Sequence, residues 1–288
     1  MPSTREIRRR IKSIKSTSQI TKAMEMVAAS KMRRAQERVL ASRPYAHHMR
    51  EILIDVAGKA VTGEVLHPLL ERRETGAVGV IFISGERGLC GGFNANVLRR
   101  VAGFIGEIGG PTTLITVGRK GRDHMVRAGY QLSAEYSGLG GAPKSVDSNP
   151  IARTVIEDYT AGKLKIVFLV YTQFVSTMTQ RPVVQQLLPV EPEKLQEEGP
   201  GAADYIYEPS PMGVMAELLP RFVEVQVYQA ILESVASEES ARMVAMRNAT
   251  ENAKELIESL TLTYNKARQT AITRELVDIT TSMQAMRT

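Results

Sequence analysis

The hydrophobic positions at the N-terminal end keep a strict beat of alternating four- and three-residue steps. The seam runs Ile7, Ile11, Ile14, Ser18, Thr21, Glu25, Ala28, Met32, Ala35, Val39, Ser42, Ala46, Met49, Leu53 and Val56, and eleven of these fifteen positions are apolar, mostly slim. A 3.5-residue period marks a coiled-coil seam, narrower than the stripe of a helix lying on a globular core. The C-terminal end repeats the pattern through Leu218, Phe222, Val225, Gln229, Leu232, Ala236, Glu239, Met243, Met246, Thr250, Ala253, Ile257, Leu260, Tyr264, Ala267 and Ala271, with thirteen of sixteen apolar. Beyond it the stripe moves by one residue to Ile272, Leu276, Ile279, Met283 and Met286. Such a shift relaxes a left-handed supercoil locally, because a straight helix drifts by about 20° per heptad against a seven-residue repeat. Ser210 followed by Pro211 reads as a helix start, and Pro220 is expected to kink that helix or cut off a short first piece.

All 22 glycines lie between Gly58 and Gly213, so both ends are free of the commonest helix breaker. At a rise of about 1.5 Å per residue the second helix would reach roughly 100 Å, more than a compact domain needs. The expectation is a rod with a head: a terminal helix over 1–57, a central domain over 58–208 and a second terminal helix over 209–288, the two ends zipping against each other.

The middle changes period. Ala77–Ser84 (AVGVIFIS) is a continuous apolar strand, followed by a glycine loop and a helix over Asn94–Glu107. Thr112–Gly118 is a second strand with a helix over Arg119–Ala128, and Gln131–Tyr136 is a third, weaker strand. A helix over Asn149–Ala161 leads to Lys165–Val175, β-branched and aromatic, and then to Pro182–Val190, whose prolines suit a sheet edge. Strands alternating with helices predict an α/β, Rossmann-like domain with a mostly parallel five-stranded sheet. Pro189 to Ala203 reads as a mobile Pro/Gly/Glu-rich connection.

Charge is unevenly placed. Of 37 basic and 31 acidic residues, positions 1–50 hold 13 basic and only three acidic, leaving 24 basic and 28 acidic for the rest. The formal net charge of +6 therefore sits on the first helix, where it suits phosphates, an anionic membrane surface or an acidic protein surface. Nucleic acid is disfavoured by the absence of tryptophan and the lack of any aromatic residue before Tyr45. Membrane insertion is disfavoured because the seam is alanine-rich and narrow. No apolar run approaches the length needed to cross a bilayer, and Met1 to Ser18 is charged where a signal peptide would be apolar. One cysteine, Cys90, excludes an internal disulfide and fits a reducing cytoplasm.

Catalytic chemistry is not apparent. The loop SGERGLCGGFNAN sits between a strand and a helix, where a phosphate loop belongs, but Gly85, Gly88, Gly91 and Gly92 match neither Gly-x-Gly-x-x-Gly nor a phosphate loop ending in Gly-Lys-Ser/Thr. Gly88, Gly91 and Gly92 are read as a tight structural turn with close backbone approach. His47 and His48 diverge by about 100° as helical neighbours and do not make an i, i+4 metal clamp. His67 and His124 stand apart in sequence, no Ser-His-acid set stands out, and neither a metal nor a cofactor is expected.

Three segments carry a family resemblance: ITKAMEMVAASKMRRAQ (Ile20–Gln36), the loop Ser84–Asn96, and LTLTYNKARQTAITREL (Leu260–Leu276). Together, in this order, they resemble the gamma subunit of F-type ATP synthase of the bacterial type. The resemblance implies an asymmetric antiparallel coiled coil entering a ring of alternating alpha and beta subunits, with the central domain outside it near the epsilon subunit and the membrane rotor ring. It implies a non-catalytic rotary shaft, one copy per complex, peripheral to the cytoplasmic face of the plasma membrane, with no nucleic acid partner. By the same resemblance Met24 faces the beta-subunit lever. The basic first helix, Arg33 and Arg34 included, meets acidic loops. Arg242, Arg268, Gln269 and Thr273 are polar contacts to the ring, and Tyr205, Tyr207 and Glu208 form the foot at rotor ring and epsilon. The cysteine-bearing insertion of chloroplast relatives is absent, so thiol regulation is not implied. The competing reading is a basic coiled-coil scaffold or nucleic-acid-binding protein with an α/β head.

Overall fold

A strand buried on both faces has no need to alternate apolar with polar, and β1 (Ala77–Ile83) is such a strand. The computed structural model describes residues 3–59, 67–139, 141, 143–191, 207–208 and 210–286. The chain divides into two compact units, Ala29–Arg242 and the pair of segments Met1–Ala28 and Met243–Thr288.

In the unit Ala29–Arg242, β1 lies at the centre of a five-stranded sheet of order β3-β2-β1-β4-β5. It pairs in parallel with β2 (Thr112–Val117) and β4 (Leu164–Phe174), and β2 pairs in parallel with β3 (Leu132–Tyr136). The fifth strand, β5 (Gln180–Leu188), runs antiparallel to β4 with Val183 opposite Tyr171, and its Pro182 sits on an edge where a missing N–H breaks no ladder. The predicted strands are therefore all present, with ends within two residues of those read from the sequence.

The period-2 geometry of β1 sends Val78, Val80 and Phe82 to one face and Ile81 and Ile83 to the other. The first face is covered by Val97, Leu98 and Val101 of α2 (Phe93–Ile108) and Met125 of α3 (Arg119–Arg127). The second is covered by α4 (Asn149–Thr160), through Ile151, Val155 and Tyr159, and by the long terminal helices. Met49, Leu53 and Val56 come from α1 (Thr4–Lys59), and Met215, Leu219, Phe222, Val223 and Val227 from α5 (Pro211–Ala285). Every seam position of α1 from Met32 to Val56 is buried or half-buried in this unit.

In the unit formed by the chain ends, α1 and α5 run antiparallel, residue numbers rising on one as they fall on the other. Arg8 meets Tyr264, with its guanidinium also 5.4 Å from the ring centre; the Thr21 and Thr250 hydroxyls are 2.7 Å apart; Arg247 Nε lies 3.2 Å from Glu25 Oε1. Ile7, Ala28, Met243, Met246 and Ala253 are buried along this seam, and small residues such as Ala28 and Ala253 let the backbones approach. From Arg268 to Met283 every described side chain is exposed. The shifted stripe Ile272, Leu276, Ile279, Met283 is therefore exposed within the unit.

The start of α5 follows the expected chemistry, with the Gly213 N–H donating to Ser210 Oγ at 3.1 Å. Pro220 lies inside an uninterrupted α5, and Pro44 inside α1, so no short first piece is split off. The connection from Glu191 to Tyr207 falls on residues outside those described.

Candidate functional site

Parallel α/β sheets place ligands at the carboxyl ends of the strands where the order reverses, here between β1 and β4. In this chain that position is filled by α5. Thr172, near the end of β4, receives the Ser237 hydroxyl on its carbonyl at 3.1 Å and donates its N–H to Ser234 Oγ at 3.3 Å. Ser240 Oγ donates to Thr177 O at 2.8 Å. These hydroxyls cap the end of β4, where a nucleotide-type sheet would receive its ligand.

The loop after β1 closes against the same helix. The Gly85 N–H donates to Asn94 Oδ1 at 2.8 Å, and Asn94 Nδ2 donates to the Arg87 carbonyl at 3.3 Å. Arg242 reaches the Gly88 carbonyl at 3.5 Å and forms ion pairs with Glu238 and, at 2.8 Å, with Glu239. Lys31 Nζ stands 4.0 Å from Glu239, so this acid at a seam position is held by two cations. Burial pushes the Glu238 carboxyl above its ordinary value, and Arg242 pulls it back only in part. Burial also works against the Arg242 cation, but its two carboxylate partners outweigh that and hold its pKa above the ordinary value. The Cys90 thiol is pushed up by burial first and by Glu238 second, so it stays protonated and inert.

The structural-turn reading of the glycines is refined. Gly91 takes a left-handed φ of 55°, whereas a side chain at Gly88 would meet nothing. Gly92 supplies the residue before α2 in ordinary helical conformation, with Asn96 as its nearest neighbour. The tightest approach is elsewhere: a Cβ on Gly118 would lie 2.2 Å from the Ser84 carbonyl oxygen, and one on Gly121 would lie 2.5 Å from Phe82. Ser84 closes this junction by accepting the Gly121 N–H at 2.8 Å. The sequence reading missed both glycines, and their only signal was position, just after a strand and inside the next helix.

The other predicted residues are spread along the helices. Met24 is half-buried, and Arg33 and Arg34 are exposed on α1. Arg268, Gln269 and Thr273 are exposed on α5, and Gln269 and Thr273 share a shallow surface depression with Lys266, Thr270 and Arg274. Arg242 is set apart from them, its side chain only 11% exposed. Tyr207 donates its hydroxyl to Asp55 Oδ2 at 2.5 Å, Glu208 is exposed, and Tyr205 lies outside the described residues. One grouping was set aside in sequence: His47 and His48 each face Glu51, at 3.5 and 3.0 Å.

No helix among the described residues is long and apolar enough to cross a membrane. What remains is two long helices and a sheet domain whose β4 end is capped by α5. The family model described as ATP synthase matches residues 3–286. A protein of Dehalococcoides mccartyi named ATP synthase gamma chain is 52% identical over 280 residues, covering 97% of each chain. The chain belongs to the ATP synthase gamma chain family. A gamma chain of Chloroflexus aurantiacus is 49% identical over 290 residues, covering 99% of each. Among solved structures, the central stalk and c-ring assembly of Tetrahymena thermophila mitochondrial ATP synthase contains a chain of TM-score 0.62 and 26% identity, covering 80% of this chain and 99% of that one. A chain of the Euglena gracilis mitochondrial ATP synthase superposes with TM-score 0.71 at 23% identity over 98% of this chain and 94% of that one, a likeness of fold. As a gamma chain it is a non-catalytic subunit of ATP synthase.

Proposed function

We propose that this chain is the central rotary shaft of an F-type ATP synthase, coupling ion flow through the membrane sector to ATP synthesis and hydrolysis on the alpha/beta ring. Identity of 52% to a gamma chain over nearly its full length carries this reading. Its partners are the alpha and beta subunits, epsilon and the c-subunit rotor ring, one copy per complex, at the cytoplasmic face of the plasma membrane as a peripheral protein. The parts divide as 1–57 and 209–288 for the shaft helices and 58–208 for the domain outside the ring.

An asymmetric shaft biases its partners only by making different contacts with each. Met24, Arg33, Arg34, Arg268, Gln269 and Thr273 are the proposed contacts to the ring, supported by their placement on helix surfaces. Arg242 is a further proposed contact to the ring, carried by the resemblance; its side chain is enclosed by Glu238 and Glu239. Tyr207 and Glu208, with Tyr205, are the proposed foot.

Mixing the purified chain with alpha and beta subunits tests the role: their ATP hydrolysis rate changes if the chain is the shaft, and an unchanged rate contradicts it. Retention on DNA with a steep salt slope would favour the scaffold reading instead. Reversing Arg33 and Arg34 to Glu weakens assembly or coupling if acidic loops meet α1. An unaltered complex removes that electrostatic contact from the account.

A further inference from the structure

Residues 47, 48 and 51 of α1 read His-His-x-x-Glu, and helical geometry decides how they meet. With about 100° between successive residues, Glu51 falls in angle between the two histidines and one turn further along. The structure shows this arrangement. His47 Nδ1 lies 3.5 Å from Glu51 Oε1, and His48 Nδ1 lies 3.0 Å from Glu51 Oε2, so one carboxylate faces both rings. One ligand atom from each residue lies within 4.8 Å of the others. The ring centroids are 6.0 Å apart at 86°, the divergence expected of helical neighbours.

We propose that His47, His48 and Glu51 form a surface binding site for a divalent transition-metal ion of the zinc, nickel and copper class. Two neutral imidazoles and a carboxylate are borderline donors that suit these ions; calcium and magnesium prefer oxygen-only sets. A tetrahedral zinc with ligand bonds of about 2.0–2.1 Å places its donors roughly 3.3 Å apart, close to both histidine–carboxylate separations found here. Only the gap between the two rings has to narrow. The histidine side chains are 67% and 69% exposed, so rotation about their side-chain bonds meets no packed neighbour. Glu51, at 28%, is the more anchored member and holds the middle of the set. Water completes the coordination, and binding staples a turn of α1 beyond what its backbone hydrogen bonds do. No electron transfer is involved, and the site is independent of the shaft role.

Calorimetric titration of the full-length chain with zinc chloride is the test, with His47→Gln/His48→Gln and Glu51→Gln as variants. One ion per chain is expected for the wild type, with affinity reduced roughly tenfold or more in Glu51→Gln and abolished in the double variant. Circular dichroism checks that the substitutions leave the helices intact. Cobalt(II) absorption supplies a second readout. Nitrogen- and oxygen-ligated d–d bands that vanish in the double variant support the site, and a thiolate charge-transfer band would move the metal to Cys90 and overturn it. Stoichiometric zinc binding that survives in the double variant, or no binding by the wild type, also overturns it.

Discussion

Arg242 shows how a single side chain ties the sheet domain's loop to its helix. Its guanidinium neutralises two largely buried carboxylates, so Arg242→Ala strands Glu238 and leaves Glu239 with Lys31 alone. Removing one partner of a buried pair typically costs roughly 3–5 kcal/mol, and a loss in this range is expected in denaturant unfolding. Conservative Arg242→Lys restores the charge but not the fork that reaches Glu238 and Glu239 together, so it recovers stability only in part. Gly118 makes the second residue-scale prediction. Its φ of 102° and the Ser84 carbonyl 2.2 Å from a built Cβ leave no room for a methyl group. Gly118→Ala is expected to lower stability by at least about 1–3 kcal/mol, measured against Gly88→Ala, where a Cβ meets nothing. This is also where sequence reading reached its limit. The partner that makes Gly118 obligatory is Ser84, more than thirty residues earlier, and no local pattern reports it. Glu239 likewise breaks an apolar seam in sequence, and only the assembled helix pair supplies Lys31 and Arg242 to account for it.

At the scale of elements, the paired ends of α1 and α5 depend on charge as well as packing. Glu25 is held below the usual carboxylate range chiefly by its hydrogen bond from Lys22, with burial opposing and Arg247 adding to the effect. Because its folded pKa is depressed, its contribution is complete above the unfolded value of 4.5 and is lost as pH falls through the lower folded value. Arg247→Ala should move the Glu25 titration upward, read by NMR of its carboxyl carbon, and shift that loss to higher pH. A Glu25 titration indifferent to Arg247 would mean the pair does not form in solution. The elements themselves were legible: the 3.5-residue beat located both seams, and the change to continuous apolar runs located the sheet. Periodicity names a face, however, and not what covers it. The stripe from Ile272 to Met283 is as apolar as the rest, yet it is exposed here.

For the whole molecule, that exposed end separates stability from function. A chain ended after Ala271 loses few intrachain contacts, so its unfolding free energy should change by no more than about 0.5 kcal/mol. Its effect on ATP hydrolysis by the alpha/beta ring should nevertheless weaken if the exposed end meets the ring. The proposed ring contacts follow from resemblance; the monomer displays their positions, and the surfaces they touch belong to other subunits. Ser234 and Ser237 of α5 occupy the end of β4, the place where nucleotide-type sheets receive their ligands.

The most direct measurement fixes the alpha/beta ring to a surface and attaches an orientation probe at Met178→Cys, a side chain 78% exposed on the β4–β5 turn, in a Cys90→Ser background. ATP should drive the probe around in one direction, with steps that follow hydrolysis. Hydrolysis at full rate while the probe keeps a fixed orientation would contradict the shaft.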